Sequence, residues 1–184
     1  MSRQIIILLG GEDVKKRTNE PLIRKVGELS TAKKILVIPW SSGSDKREQE
    51  YRSVFRRYFS DSGFIQVLFL EKDDQDSVMS EKFASVDVVY LPGGDPGVLY
   101  EELKKRNVQD RLRGFRGIII GNSAGAIVLS AGAVVEDKFY PGFGLVRFFV
   151  SVHYTPGPVS EAEGEMTVNI PGGMWIAVSG SSGI

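Results

Sequence analysis

The chain has 184 residues, 23 Lys+Arg balanced by 23 Asp+Glu, with hydrophobic residues making up 42% of it. This is the make-up of one globular domain, residues 1–184, with a substantial core, and a zero net charge gives no reason to expect nucleic acid or an anionic membrane as partner. Cysteine is absent, which excludes disulfides, thiolate metal sites and a cysteine nucleophile.

The first apolar run, Ile5-Ile6-Ile7-Leu8-Leu9, predicts a buried strand closed by Gly10-Gly11. It is too short for an export signal, and no apolar run approaches the ~18 residues of a membrane span, so a cytoplasmic protein is expected. Pro21 to Leu29 predicts a helix with Asn19 as cap and Pro21 in its first turn. A second strand, Ile35 to Ile38, leads into the loop Pro39 to Ser44. Asp45 to Ser60 then alternates charges with Tyr51, Val54, Phe55, Tyr58 and Phe59, the pattern of an amphipathic helix.

Ile65 to Leu70 predicts a third strand, Val78 to Phe83 a helix, and Val86 to Leu91 a fourth strand ending in Pro92-Gly93-Gly94-Asp95-Pro96-Gly97. Helices follow over Val98 to Lys105 and Val108 to Leu112, then a fifth strand at Ile118 to Ile120. This alternation predicts an α/β fold with a doubly wound, mostly parallel sheet flanked by helices. In such sheets ligands sit at the carboxyl ends of the strands, here the loops at Gly10-Gly11, Pro39 to Ser44, Pro92 to Gly97 and Gly121 to Gly125. Further on, Phe148 to Val152, Met166 to Ile170 and Trp175 to Val178 predict short strands, with His153 at or just past the end of the first.

Gly121-Asn122-Ser123-Ala124-Gly125 joins the fifth strand to a small-residue helix and has the form G-x-S-x-G. Such a turn can present a serine hydroxyl at the sheet edge as a nucleophile elbow, with the N–H groups opening the helix able to stabilise an oxyanion. The other reading of the motif is a serine that caps the helix or a loop that holds a phosphate. A nucleophilic serine needs a base, and His153 is the one histidine of the chain. Glu136 and Asp137, or Glu161, Glu163 and Glu165, could orient it. A second oxyanion donor fits Gly93-Gly94-Asp95, where Asp95 could instead cap the following helix. No P-loop or dinucleotide-binding glycine pattern opens a helix, and neither a cofactor nor a metal is expected.

Tyr90-Leu91-Pro92-Gly93-Gly94-Asp95, Gly121-Asn122-Ser123-Ala124-Gly125-Ala126, Val152-His153-Tyr154 and Ile170-Pro171-Gly172-Gly173 together resemble the serine peptidase family of peptidase E and cyanophycinase. The resemblance runs over nearly the whole chain and implies a class I glutamine amidotransferase-like, flavodoxin-like three-layer sandwich. It implies hydrolysis of amide bonds in small peptides, with Ser123 as nucleophile and His153 as base. By the same resemblance Asp137 is the orienting acid, Gly94 and Ala124 supply the oxyanion N–H groups, and Gly93, Asp95 and Asn122 contact the substrate. Asp95-Pro96 stands where family members commonly have Asn, and Gly172 where peptidase E has a glutamate. No arginine lies between His153 and Met166 to read an acidic substrate side chain. A non-catalytic, ligand-binding member of the same fold is the alternative.

Overall fold

The computed structural model describes residues 4–155 and 166–179. Its elements in chain order are β1 (Ile5–Leu9), α1 (Glu20–Leu29), β2 (Lys34–Val37), α2 (Asp45–Asp61), β3 (Gln66–Phe69), α3 (Asp76–Ala84), β4 (Val88–Leu91), α4 (Pro96–Lys105), α5 (Val108–Gly114), β5 (Ile118–Asn122) and α6 (Ala124–Leu129). Five further strands follow: β6 (Gly132–Val135), β7 (Lys138–Pro141), β8 (Phe149–Tyr154), β9 (Thr167–Pro171) and β10 (Trp175–Ser179).

The apolar runs form one six-stranded sheet in the order β10-β1-β5-β4-β2-β3. All neighbours are parallel except β10, which runs antiparallel to β1. Successive side chains of a strand point to opposite faces, and here both faces are buried. Ile6, Leu8, Leu36, Ile38, Val89, Leu91 and Ile119 pack on one side with Met79, Leu99, Leu103, Leu112 and the buried α6. Ile7, Leu9, Ile35, Val37, Val88, Tyr90 and Ile120 pack on the other with Ile23 and Val26 of α1 and Phe55, Tyr58 and Phe59 of α2. Continuous apolar strands are the expected signature of a parallel sheet covered on both faces, and the expected α/β architecture is the one observed.

Two elements differ from the sequence expectation. Residues 132–141 form a hairpin, β6–β7, whose register pairs Val135 with Lys138 and leaves Glu136 and Asp137 as its two-residue turn. Both turn residues have positive φ, 49° and 61°, which is the backbone that matches strand twist in tight hairpins. Asn19 precedes α1 but makes no side-chain capping bond; its backbone N–H is bonded to Glu12 instead.

Asp87, at the entry to β4, ties the sheet to the loop after α1. Its carboxylate accepts from Ser30 Oγ at 2.6 Å, Thr31 N at 2.7 Å, Thr31 Oγ1 at 2.9 Å and Ala32 N at 3.1 Å. Burial works against the charge, and the bonds from Ser30, Ala32 and Thr31 outweigh it, so the carboxyl sits below its ordinary value of 3.8. A depressed native pKa contributes stability that is fully present above the ordinary value and lost as pH falls through the native one. Asp87→Ala is therefore expected to cost about 2 kcal/mol at neutral pH, from the lost charge-assisted bonds. Urea titrations of both proteins check this, and the gap between them should close progressively once the pH drops below 3.8.

Candidate active site

Ser123 stands between β5 and α6, where the chain must turn from the sheet into a helix within one residue. Its backbone takes φ 48°, ψ −103°, and its side chain makes no capping bond to α6. Ser123 N–H donates to Leu9 O at 3.0 Å and Ile127 N–H to Ser123 O at 3.0 Å, so strand and helix hold the residue in this sparsely populated conformation from both sides. A Cβ on Gly125 would lie 2.3 Å from Leu91 O; only glycine lets α6 run this close to β4.

The freed hydroxyl meets the histidine. Ser123 Oγ lies 2.8 Å from His153 Nε2. His153 belongs to β8, which pairs in parallel with β9, and the register slips between Val152 and Tyr154. The slip puts His153 at φ 53°, re-aiming a side chain as a bulge does. His153 N–H donates to Gly10 O at 2.5 Å, and its ring rests on Gly11, where a Cβ would come 2.0 Å from Cε1.

Around this pair is a cleft of about 1230 Å³. It is lined from the carboxyl ends of β1, β2, β4 and β5, by the loops expected from sequence, and also by Gly172 and Gly173. Gly93, Gly94, Asp95 and Asn122 line it together with Ser123 and His153. Gly94 N–H donates to no protein acceptor among the described residues. Asp95 also caps α4, accepting from Gly97 N at 2.8 Å and Val98 N at 3.0 Å. Ala124 opens α6, so its N–H is among those a helix leaves without an intrahelical acceptor; the residue is 1% exposed.

Asp137 is not brought to the imidazole. The pairing of β6 with β7 carries it to the tip of the hairpin, and it is not among the residues that line the cleft. Among the described residues no carboxylate forms an ion pair with His153. The expectation for Asp137 is corrected in this respect: a two-residue hairpin turn uses it for its backbone conformation. Glu161, Glu163 and Glu165 lie outside the described residues.

Two cleft residues were not singled out by sequence. Ser41 donates from Oγ to Gly93 O at 2.7 Å and accepts Asp95 N–H on its carbonyl at 2.8 Å, so it fixes the loop carrying Gly94. Glu12 follows Gly10-Gly11 at the end of β1. Its Oε1 accepts from Asn19 N at 3.0 Å and from Tyr58 OH. Burial raises its pKa above the ordinary carboxylate range, and burial followed by the nearby Glu12 charge pushes the Tyr58 phenol far up. The only sequence signal for either residue was its place in a strand-end loop. Among the described residues no group of acidic and histidine side chains could hold a metal ion, and no helix is long and apolar enough to cross a membrane.

The model of peptidase family S51 matches residues 5–171 of the chain, a span that includes Ser123, His153 and all the cleft-lining residues except Gly172 and Gly173. The chain belongs to peptidase family S51. It is accordingly a hydrolase, a peptidase of the serine type. This S51 peptidase shares its fold with a candidate peptidase E from Listeria monocytogenes EGD-e, at 19% identity and a TM-score of 0.72 over 98% of this chain and 96% of that one. It is also similar to a peptidase from an acI-B1 Actinobacterium, at 19% identity and a TM-score of 0.68 over 98% of this chain and 89% of that one. No curated protein matches it significantly.

Proposed function

We propose that the chain hydrolyses an amide bond of a small peptide by nucleophilic catalysis, with Ser123 on a nucleophile elbow and His153 as its base. The observation that carries this is the 2.8 Å contact between Ser123 Oγ and His153 Nε2, within the reach a nucleophile–base pair needs. The hydroxyl oxygen attacks the carbonyl carbon while its proton passes to Nε2. The tetrahedral oxyanion is held by Gly94 and Ala124 N–H. His153 then gives the proton to the departing amine as the C–N bond breaks, and water attacks the acyl-enzyme by the reverse proton route. Asn122, Gly93 and Asp95 stand where the peptide would lie, and no arginine of residues 154–166 is present to favour an N-terminal Asp.

The test is labelling with a fluorophosphonate probe. Folded protein is expected to gain one phosphonyl group, located on Ser123 by peptide mass mapping, and to cleave members of a di- and tripeptide library. A folded protein that neither labels nor cleaves belongs instead to a ligand-binding role on the same fold.

A further inference from the structure

The loop after β1 contacts His153 directly and reaches Ser123 through its neighbour Asn122. Glu12 N–H donates to Asn122 Oδ1 at 2.7 Å, and Asn122 Nδ2 donates back to Glu12 O at 3.3 Å. The residue immediately before Ser123 is thus held in a closed ring of two hydrogen bonds. Two residues earlier, Gly10 O takes the His153 N–H, and Gly11 forms the floor under the imidazole. Gly11 O also accepts from Gly173 N at 2.9 Å. A shift of this loop would move the hydroxyl and the imidazole relative to one another.

The Glu12 side chain is what anchors the loop. Its Oε1 is fastened to Tyr58 OH, on α2, and to Asn19 N–H, at the start of α1. Tyr58 is 1% exposed in the core packed against the sheet, so the anchor is rigid. Its other oxygen, Oε2, is buried without a protein partner among the described residues. Burying an acid this way costs stability, and an acid kept at such a cost inside a cleft marks a functional position more often than a structural one.

We propose that Glu12 is a positioning residue of this site: held by Tyr58 and Asn19, its carboxyl group fixes residues 10–12 and through them the separation of Ser123 Oγ and His153 Nε2. The inference rests on the reading of these two residues as nucleophile and base. Both bonds that hold the side chain are accepted by one oxygen, Oε1, from Tyr58 OH and Asn19 N–H, and the amide oxygen of a glutamine can accept the same two.

The experiment is the concentration dependence of fluorophosphonate labelling, which separates the limiting rate kinact from the half-saturating concentration KI. It compares the unmodified chain with Glu12→Ala, Glu12→Gln, Tyr58→Phe and Ser123→Ala. A pair held slightly out of line reacts slowly once the probe is bound, so Glu12→Ala should lower kinact by about ten-fold while leaving KI within about two-fold. Glu12→Gln should return kinact to within about three-fold of the unmodified value, and Tyr58→Phe should lower it by about three-fold. Unchanged kinact in Glu12→Ala, or equal losses in Glu12→Ala and Glu12→Gln, overturns the proposal. If Glu12→Ala does not fold, Tyr58→Phe decides, and an unchanged kinact there overturns it. An unmodified chain that is folded yet never labelled removes the nucleophile assignment and this inference together, whereas normal labelling of every variant except Ser123→Ala removes this inference alone.

Discussion

Ser123→Ala is expected to lower kcat by about 10⁵-fold or more while KM stays within a few-fold, the behaviour of a serine nucleophile that acts as one unit with its base. The alanine removes Oγ and with it the acyl-enzyme route. It leaves Gly93, Gly94, Asn122 and Asp95 where they line the cleft, so peptide binding persists. Stability should hardly move, because alanine keeps the burden of φ 48° and loses only one partly exposed hydrogen bond. Ser123→Gly makes the contrast sharper. It should be equally inactive yet more stable than Ser123→Ala by about 1 kcal/mol, since glycine occupies positive φ without strain. Steady-state kinetics on a cleaved peptide and thermal unfolding of both variants check the two halves. An alanine variant with more than about 1% of native kcat would show that another group attacks the carbonyl.

The inner strands of the central sheet, β1, β5, β4 and β2, were legible because each is apolar on both faces. Ile5–Leu9, Ile118–Ile120 and Val88–Leu91 are continuous runs, and burial under helices on both sides is the one environment that suits them. The turn at Ser123 could be read for a related reason: Gly121 and Gly125 are needed by close packing, and Ser123 sits between them where strand passes into helix through a single residue. The β6–β7 hairpin was hidden. Val134, Val135 and Phe139 are substantially exposed, which dilutes the alternation of apolar and polar residues, and its turn is Glu136-Asp137 rather than a glycine pair. That exposure also explains why Asp137 looked available to the histidine from its position in the chain alone.

The pairing of β10 with β1 was equally hidden, since it joins residues some 170 positions apart by register and not by local pattern. Within the site, serine and histidine were found as chemically distinctive types, one at a glycine-flanked turn and the other single in the chain. Glu12 and Ser41 were missed because what distinguishes them is a partner: Tyr58 lies 46 positions from Glu12, and Gly93 lies 52 positions from Ser41. A carboxylate among 23 acidic residues carries no signal until its burial is known.

The second large effect concerns the base. His153→Ala is expected to lower kcat by about 10⁴-fold or more, because a serine hydroxyl without a base is a poor nucleophile at neutral pH. The variant should keep its fold, as His153 is exposed, and its structural bond to Gly10 O comes from the backbone N–H. The substitution opens the space above Gly11 that the ring now fills, next to the unchanged Ser123 hydroxyl. Added imidazole should therefore restore part of the lost rate in a saturable manner, and should do nothing for Ser123→Ala. That difference separates a missing base from a misfolded site, because a collapsed cleft would not accept the small base. His153→Asn tests the same point from the other side. It fills much of the space without a basic nitrogen and tolerates the positive φ of 53° better than most residues, so it should be as well folded as the unmodified chain and as inactive as the alanine variant. Native-like activity in His153→Asn would mean that the 2.8 Å contact only orients the hydroxyl and that the proton leaves Ser123 by another path.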